Sequence, residues 1–152
     1  MHALNTEHLF RYQARLHPPQ VVGPVAEGIR VNFWIAGGEV LGPRIRGTMA
    51  AQGADFLTLR RDGVAELNVQ GTIETDDGAL IHINYPGLSD LGVDAYERFL
   101  KGDIPPLLHL RTVPRLRCAH PAYADLERCL CIGVGEGNLE TLQVTYDVYA
   151  VR

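Results

Sequence analysis

The stretch VAELNVQGTIETDDGALIHINY, Val64 to Tyr85, decides the fold. Its first half alternates: Leu67, Val69 and Ile73 are apolar, while the intervening Glu66, Asn68, Gln70, Thr72 and Glu74 are polar. Successive side chains of a strand point to opposite faces, so this segment reads as a strand with one apolar and one polar face. The crowding of Glu74, Asp76 and Asp77 ahead of Gly78 invites a metal loop. An EF-hand, however, needs oxygen ligands at alternate positions of a loop of about 12 residues between helices, and here the chain returns at once to ALIHI. Asp76-Asp77-Gly78 therefore reads as a hairpin turn, because these residue types accept the backbone angles that tight turns require. With the turn placed there, Thr75 pairs with Ala79, Thr72 falls opposite His82 and Gln70 opposite Asn84. The polar rows of the two strands then share one face.

The same grammar runs through the rest of the chain. EHLFRYQARL alternates Leu9, Arg11 and Gln13 against Phe10, Tyr12 and Ala14, and reads as a strand. Residues 29–36 read as another, followed by a turn at Gly37-Gly38 and a returning strand broken at Gly42-Pro43. Asp62-Gly63 joins a further hairpin. One segment looks helical: DLGVDAYERFLKG, with Asp90 as N-cap, Val93, Tyr96, Phe99 and Leu100 at helical spacing, and Gly102 as stop. Strands resume after Pro105-Pro106 at LLHLRTV, RCLCIGVG and ETLQVTYDVYAV, with a hairpin bend expected over Gly135 to Asn138. The expected fold is mainly β, a single domain over residues 1–152. It is an antiparallel β-barrel of roughly 8–10 strands with one short helix, since closure removes exposed edges.

Composition narrows the function classes. A formal net charge of -4 and a pI near 5.8 argue against a nucleic-acid binder, which needs clustered Lys and Arg to neutralise phosphates. Lys101 is the sole lysine among 14 basic residues, and the arginines are scattered, so no polybasic membrane patch forms. No apolar run approaches the ~20 residues of a membrane helix, and the N-terminal segment lacks a signal-peptide pattern. A cytoplasmic location is expected. The odd cysteine count (Cys118, Cys129, Cys131) reads as a reduced, partly buried set, and no zinc ligand set accompanies it. GVGEG lacks the spacing of a dinucleotide loop, and no P-loop, G-x-S-x-G or H-E-x-x-H occurs. Neither a metal nor a cofactor is expected.

Four segments, GGEVLGPRIRGTM, GADFLTLRRDGVAELNVQGTIETDDGALIHI, LRTVP and YDVYAVR, resemble the DUF3237 family of bacterial and fungal proteins, also called UPF0311. The resemblance spans about Val22 to Arg152 and implies a single antiparallel β-barrel that associates with copies of itself, a dimer being the favoured state. The chain departs from the family pattern in three places. Asp55-Phe56 stands where Asp-Trp is usual, Asn68-Val69-Gln70 where Asp-Val-Arg is frequent, and Asp125-Leu126-Glu127 where Trp-Leu-Asn is usual.

The shared polar face has two readings. It is either solvated, as in any half-buried antiparallel pair, or it lines the barrel lumen, where a few convergent polar groups would hold a small-molecule ligand. On the second reading His82 is the general acid or base, because its unperturbed pKa of ~6.5 serves either role near neutrality. Asn68, Gln70 and Thr72 then become binding groups. Asp55, at a family motif position, ranks as the carboxylate of the site, above Glu74. Arg44 and Arg111 would meet an anionic ligand with a forked guanidinium. Tyr146 and Tyr149 lie on opposite faces of one strand, so at most one reaches a lumen, and Tyr149 is the binding residue taken forward. This inventory fits cofactor-independent acid/base chemistry of the isomerase, cyclase, hydratase, dehydratase or lyase type. The alternatives are a non-catalytic binding barrel and an oligomer-forming module.

Overall fold

The computed structural model describes residues 1–152. Eleven strands form one sheet: β1 (Thr6–Leu16), β2 (Gln20–Pro24), β3 (Ile29–Leu41), β4 (Gly47–Met49), β5 (Ala54–Leu59), β6 (Val64–Thr75), β7 (Leu80–Asp90), β8 (Leu107–Thr112), β9 (Arg115–Arg117), β10 (Cys131–Asn138) and β11 (Gln143–Val151). Eight of them close into an antiparallel barrel in the order β1-β3-β5-β6-β7-β8-β10-β11, with β11 returning to β1. β4 pairs with β3 and β6 beyond the end of β5, and β9 pairs with β7 beyond the end of β8. Each thus continues a neighbour's place in the wall. β2 lies outside the ring against β3.

The β6–β7 hairpin has the expected register, with Thr72 opposite His82 and Gln70 opposite Asn84. The turn is fastened from the side. Tyr123 Oη donates to Asp77 Oδ1 at 2.9 Å, and the Thr75 hydroxyl donates to the same oxygen. Those two bonds hold the Asp77 carboxylate below its usual pKa range. The acidic cluster is therefore turn chemistry, and it anchors a 3₁₀ helix over Pro121–Arg128. Leu126 of that helix is fully buried and joins Phe10, Val40 and Ile45 in closing one end of the barrel.

Three expectations are corrected. Gly37-Gly38 makes no turn: both lie within β3, paired with Arg15 and Ala14, where β1 passes so close that a Cβ on Gly38 would sit 2.2 Å from the Gln13 carbonyl oxygen. β10 runs straight through Gly135 to Asn138, and the chain reverses only beyond it. The expected helix is present but shorter, α1 (Ala95–Leu100), with Asp94 rather than Asp90 at the N-cap position and no side-chain capping bond, and the 3₁₀ helix is a second helical element. Alternation from one strand does not register a 3₁₀ segment whose single buried residue is Leu126.

Side chains divide by parity along β6, β7, β8, β10 and β11. On β6 the apolar row Leu67, Val69 and Ile73 is buried while Glu66, Asn68, Gln70 and Glu74 are exposed. Closure sends one row of every strand inward, and burial of apolar surface decides which. A smaller cluster, Ile29, Val31, Leu57 and Leu59 with Ala95 and Tyr96 of α1, covers part of the other end.

The alternate glycines of β10 face inward, and Gly135 has a packing reason. A Cβ there would lie 2.4 Å from Cδ1 of Tyr146, so the tyrosine ring rests directly on the glycine backbone. Gly135→Ala is expected to destabilise the chain by roughly 1–3 kcal/mol, because the added methyl meets both the Thr145 carbonyl oxygen and the Tyr146 ring. Urea unfolding measures it, and an unchanged midpoint would mean that both β11 and the ring give way without cost.

Candidate active site

β5 carries Leu57 and Leu59 into the interior, and two residues earlier the same row carries Asp55. The β5–β6 ladder pairs Ala54 with Gln70, Asp55 with Val69 and Thr58 with Glu66, but skips Phe56 and Leu57. In that gap the Asp55 Oδ1 accepts the Asn68 backbone N–H at 2.9 Å, standing in for a main-chain acceptor. Its other oxygen has no partner in the protein. Asp55 keeps partial exposure because it faces a cavity, and burial raises its pKa to about 7 despite the opposing Asn68 bond. No Arg, Lys or His lines that cavity to offset the cost of a buried charge.

Three tyrosines share the lumen. Tyr12 on β1 and Tyr85 on β7 are hydrogen-bonded through their hydroxyls. Tyr146 on β11 packs against both, with ring centroids 5.1 Å from Tyr12 and 5.6 Å from Tyr85. Burial raises all three phenol pKa values well above the ordinary one, and the Asp55 charge adds in the same direction. The phenols thus stay protonated and act as hydrogen-bond donors beside a carboxyl group that titrates near neutrality. The rest of the cavity, about 50 Å³, is walled mainly by aliphatic side chains such as Ile35, Leu67, Val69, Ile83 and Leu110. It opens towards the β10–β11 turn, where Asn138, Leu139 and Gln143 form its rim.

Most of the residues expected to line a lumen lie elsewhere. His82 and Gln70 are exposed, Thr72 is half-buried on the same outward row, and Asn68 contributes only its backbone N–H. The shared polar face is the solvated one, because the apolar rows of β6 and β7 fill the interior. Arg44 is engaged by Asp125 at 2.9 Å, and Arg111 is exposed on the outer wall. Tyr149 points outward against His8, ring centroids 5.1 Å apart, so Tyr146 is the inward member of its strand. Of the expected set, Asp55 alone brings its side chain into the cavity. Tyr12 and Tyr85 were missed, although each is a tyrosine in an otherwise apolar row: Phe10, Tyr12, Ala14 on β1 and Ile81, Ile83, Tyr85 on β7. A polar group on the buried face was the readable signal.

Comparison with known proteins extends the picture. A family model described as "Protein of unknown function (DUF3237)" matches residues 4–151. A UPF0311 protein of Rhodopseudomonas palustris strain TIE-1 is 33% identical, with 97% of each chain covered. The crystal structure of RPA1785 from R. palustris, described as a conserved protein of unknown function, superposes with a TM-score of 0.86 at 32% identity, covering 100% of both chains. A more distant structure, an enzyme from Penicillium herquei, has a TM-score of 0.69 at 19% identity and covers 98% of this chain and 95% of that one.

The environment of Asp55 has a measurable consequence. The folded chain holds the Asp55 proton up to about pH 7, whereas an unfolded aspartate releases it near pH ~4. The folded state therefore binds the extra proton, and the stability so contributed is fully present below about pH 4 and lost as pH rises to about 7. Asp55→Asn, which keeps an acceptor for Asn68, is expected to gain stability relative to the parent between about pH 4.5 and about pH 8. Urea unfolding across that range measures the difference. Parallel pH profiles for the two proteins would mean that the carboxyl group is solvated like a surface aspartate.

Proposed function

The chain belongs to the DUF3237 family, and from that premise we propose that its lumen binds a small uncharged organic molecule and that Asp55 moves a proton on it. The observation that carries this reading is a carboxyl group with a pKa of about 7 facing an apolar cavity beside phenols that remain protonated. A general acid or base works best when its pKa lies near the working pH, which is where burial has moved this one. Donors aimed at an oxygen that gains charge, in a site that excludes water, stabilise that charge far more than they would in solution.

The chemistry follows from those parts. The free oxygen of Asp55 accepts a proton from a carbon next to a carbonyl, or from a hydroxyl. The Tyr12–Tyr85 pair donates to the oxygen on which negative charge develops. Return of the proton to a different atom completes an isomerisation, a cyclisation, or the addition or loss of water. With no cation among the lining residues, a carboxylate or phosphate would enter an apolar wall unpaired, at a cost that disfavours it. The Penicillium herquei neighbour is described as an enzyme, and at 19% identity that likeness bears on the fold. The predominantly aliphatic wall favours a second reading, a non-catalytic carrier, which would bind its ligand equally well without Asp55.

Deuterium exchange separates the two. In D₂O, the protein is expected to accelerate exchange of the α-protons of small uncharged aryl ketones, followed by NMR. The rate should rise with pH through about 7, as Asp55 becomes the free base. Asp55→Asn should lose about 10²–10⁴-fold, Tyr85→Phe a smaller share, and His82→Ala nothing. Ligand binding without exchange, insensitive to Asp55→Asn, would establish the carrier instead.

A further inference from the structure

We propose that the lumen continues into an outer compartment that receives the hydrocarbon tail of the same ligand, so that the ligand class is an uncharged head group bearing an apolar tail. The inference rests on the lumen being a ligand site. Beside the lumen's mouth lies a groove of about 250 Å³, walled by Val21, Phe99, Ile104, Pro106 and Leu142. Phe33 and Leu139 line both the lumen and this groove. They also line a smaller apolar space of about 40 Å³ between the two, under Leu57, Phe99 and Leu108. Three adjoining spaces thus share the same two side chains as partitions. Leu139 packs against both hydrophobic clusters of the protein, so it stands where the lumen core and the outer cluster meet.

The turn that carries Leu139 is held at both ends. Leu139 N–H donates to the Pro106 carbonyl at 2.8 Å, and the Leu142 carbonyl accepts from Leu16 N–H at 2.8 Å. Leu142 itself has φ of +54°, the one non-glycine residue of the chain in the left-handed region. Glycine or asparagine is the ordinary occupant of such a position. Here the chain carries a leucine whose side chain forms groove wall. Glu140 is the only ionisable residue on that wall, so the groove, like the lumen, offers no counter-ion to an anion. Adjacency to the lumen, across the shared Phe33 and Leu139 side chains, favours a ligand tail as occupant over a second copy of the chain or another protein.

The test uses uncharged phenols, 4-methylphenol through 4-hexylphenol, titrated into the full-length protein by calorimetry, with Leu142→Gly as the variant. Glycine relieves the positive φ while removing the wall, so the fold is kept. In the parent protein, affinity is expected to rise with tail length, by roughly three- to fourfold per buried methylene. In Leu142→Gly, 4-methylphenol should bind as before, and the outer methylenes should each add less than twofold. Affinity independent of tail length, or equal increments in parent and variant, overturns the outer compartment while leaving the lumen reading intact. Self-association of the parent that is abolished by Leu142→Gly, with no effect of tail length, overturns it in favour of a contact between copies. Failure of every phenol to bind overturns both.

Discussion

β7 pairs with β6 along its whole length and with β8 and β9 on its other side, and that double pairing turns an open sheet into a ring. Everything else about the interior depends on it. Once the ring is closed, each strand has one row of side chains inside and one outside, and a slip of one residue would exchange the two. The β6–β7 hairpin sets the register, because its tight turn leaves no slack, and the Asp77 bonds to Thr75 and Tyr123 secure that turn to the 3₁₀ helix. The same helix buries Leu126 beneath the barrel, so one end is sealed by the element that anchors the hairpin. The other end is left with the cavity mouth.

A closed apolar interior makes every polar group within it conspicuous, since each must find a partner or bear the cost of burial. Tyr12 and Tyr85 satisfy each other through their hydroxyls. Asp55 finds only one amide N–H, at the interruption of the β5–β6 ladder, and its second oxygen faces the cavity. A carboxylate confined in this way without a cation is a poor stabilising element. The cost is limited because the group can hold its proton near neutral pH.

The outer wall carries the charges and follows different rules. Asp147 accepts from Arg11 and His8, and Arg44 meets Asp125, all at least partly in water. Such pairs add little stability, but they occupy the guanidinium groups of Arg11 and Arg44. Asn68 and Gln70 also turn their side chains to this outer wall, away from the three lumen tyrosines.

Alternation in the sequence was enough to establish the β class, the β6–β7 register and its turn, and the separation of two rows on β1 and β6. These are local properties, set by the period of the strand and the angles of an Asp-Asp-Gly turn. It also marked Asp55 through the family pattern. Whether the polar or the apolar row of Val64–Thr75 faces the lumen was not a local property, since both arrangements satisfy the same pairing. Only closure of the ring decided it, by requiring one row from every strand to fill a common interior, where apolar burial prevails over solvation of amides and imidazole. For the same reason the meeting of Tyr12, Tyr85 and Tyr146, drawn from strands far apart in the chain, is a product of the tertiary structure alone.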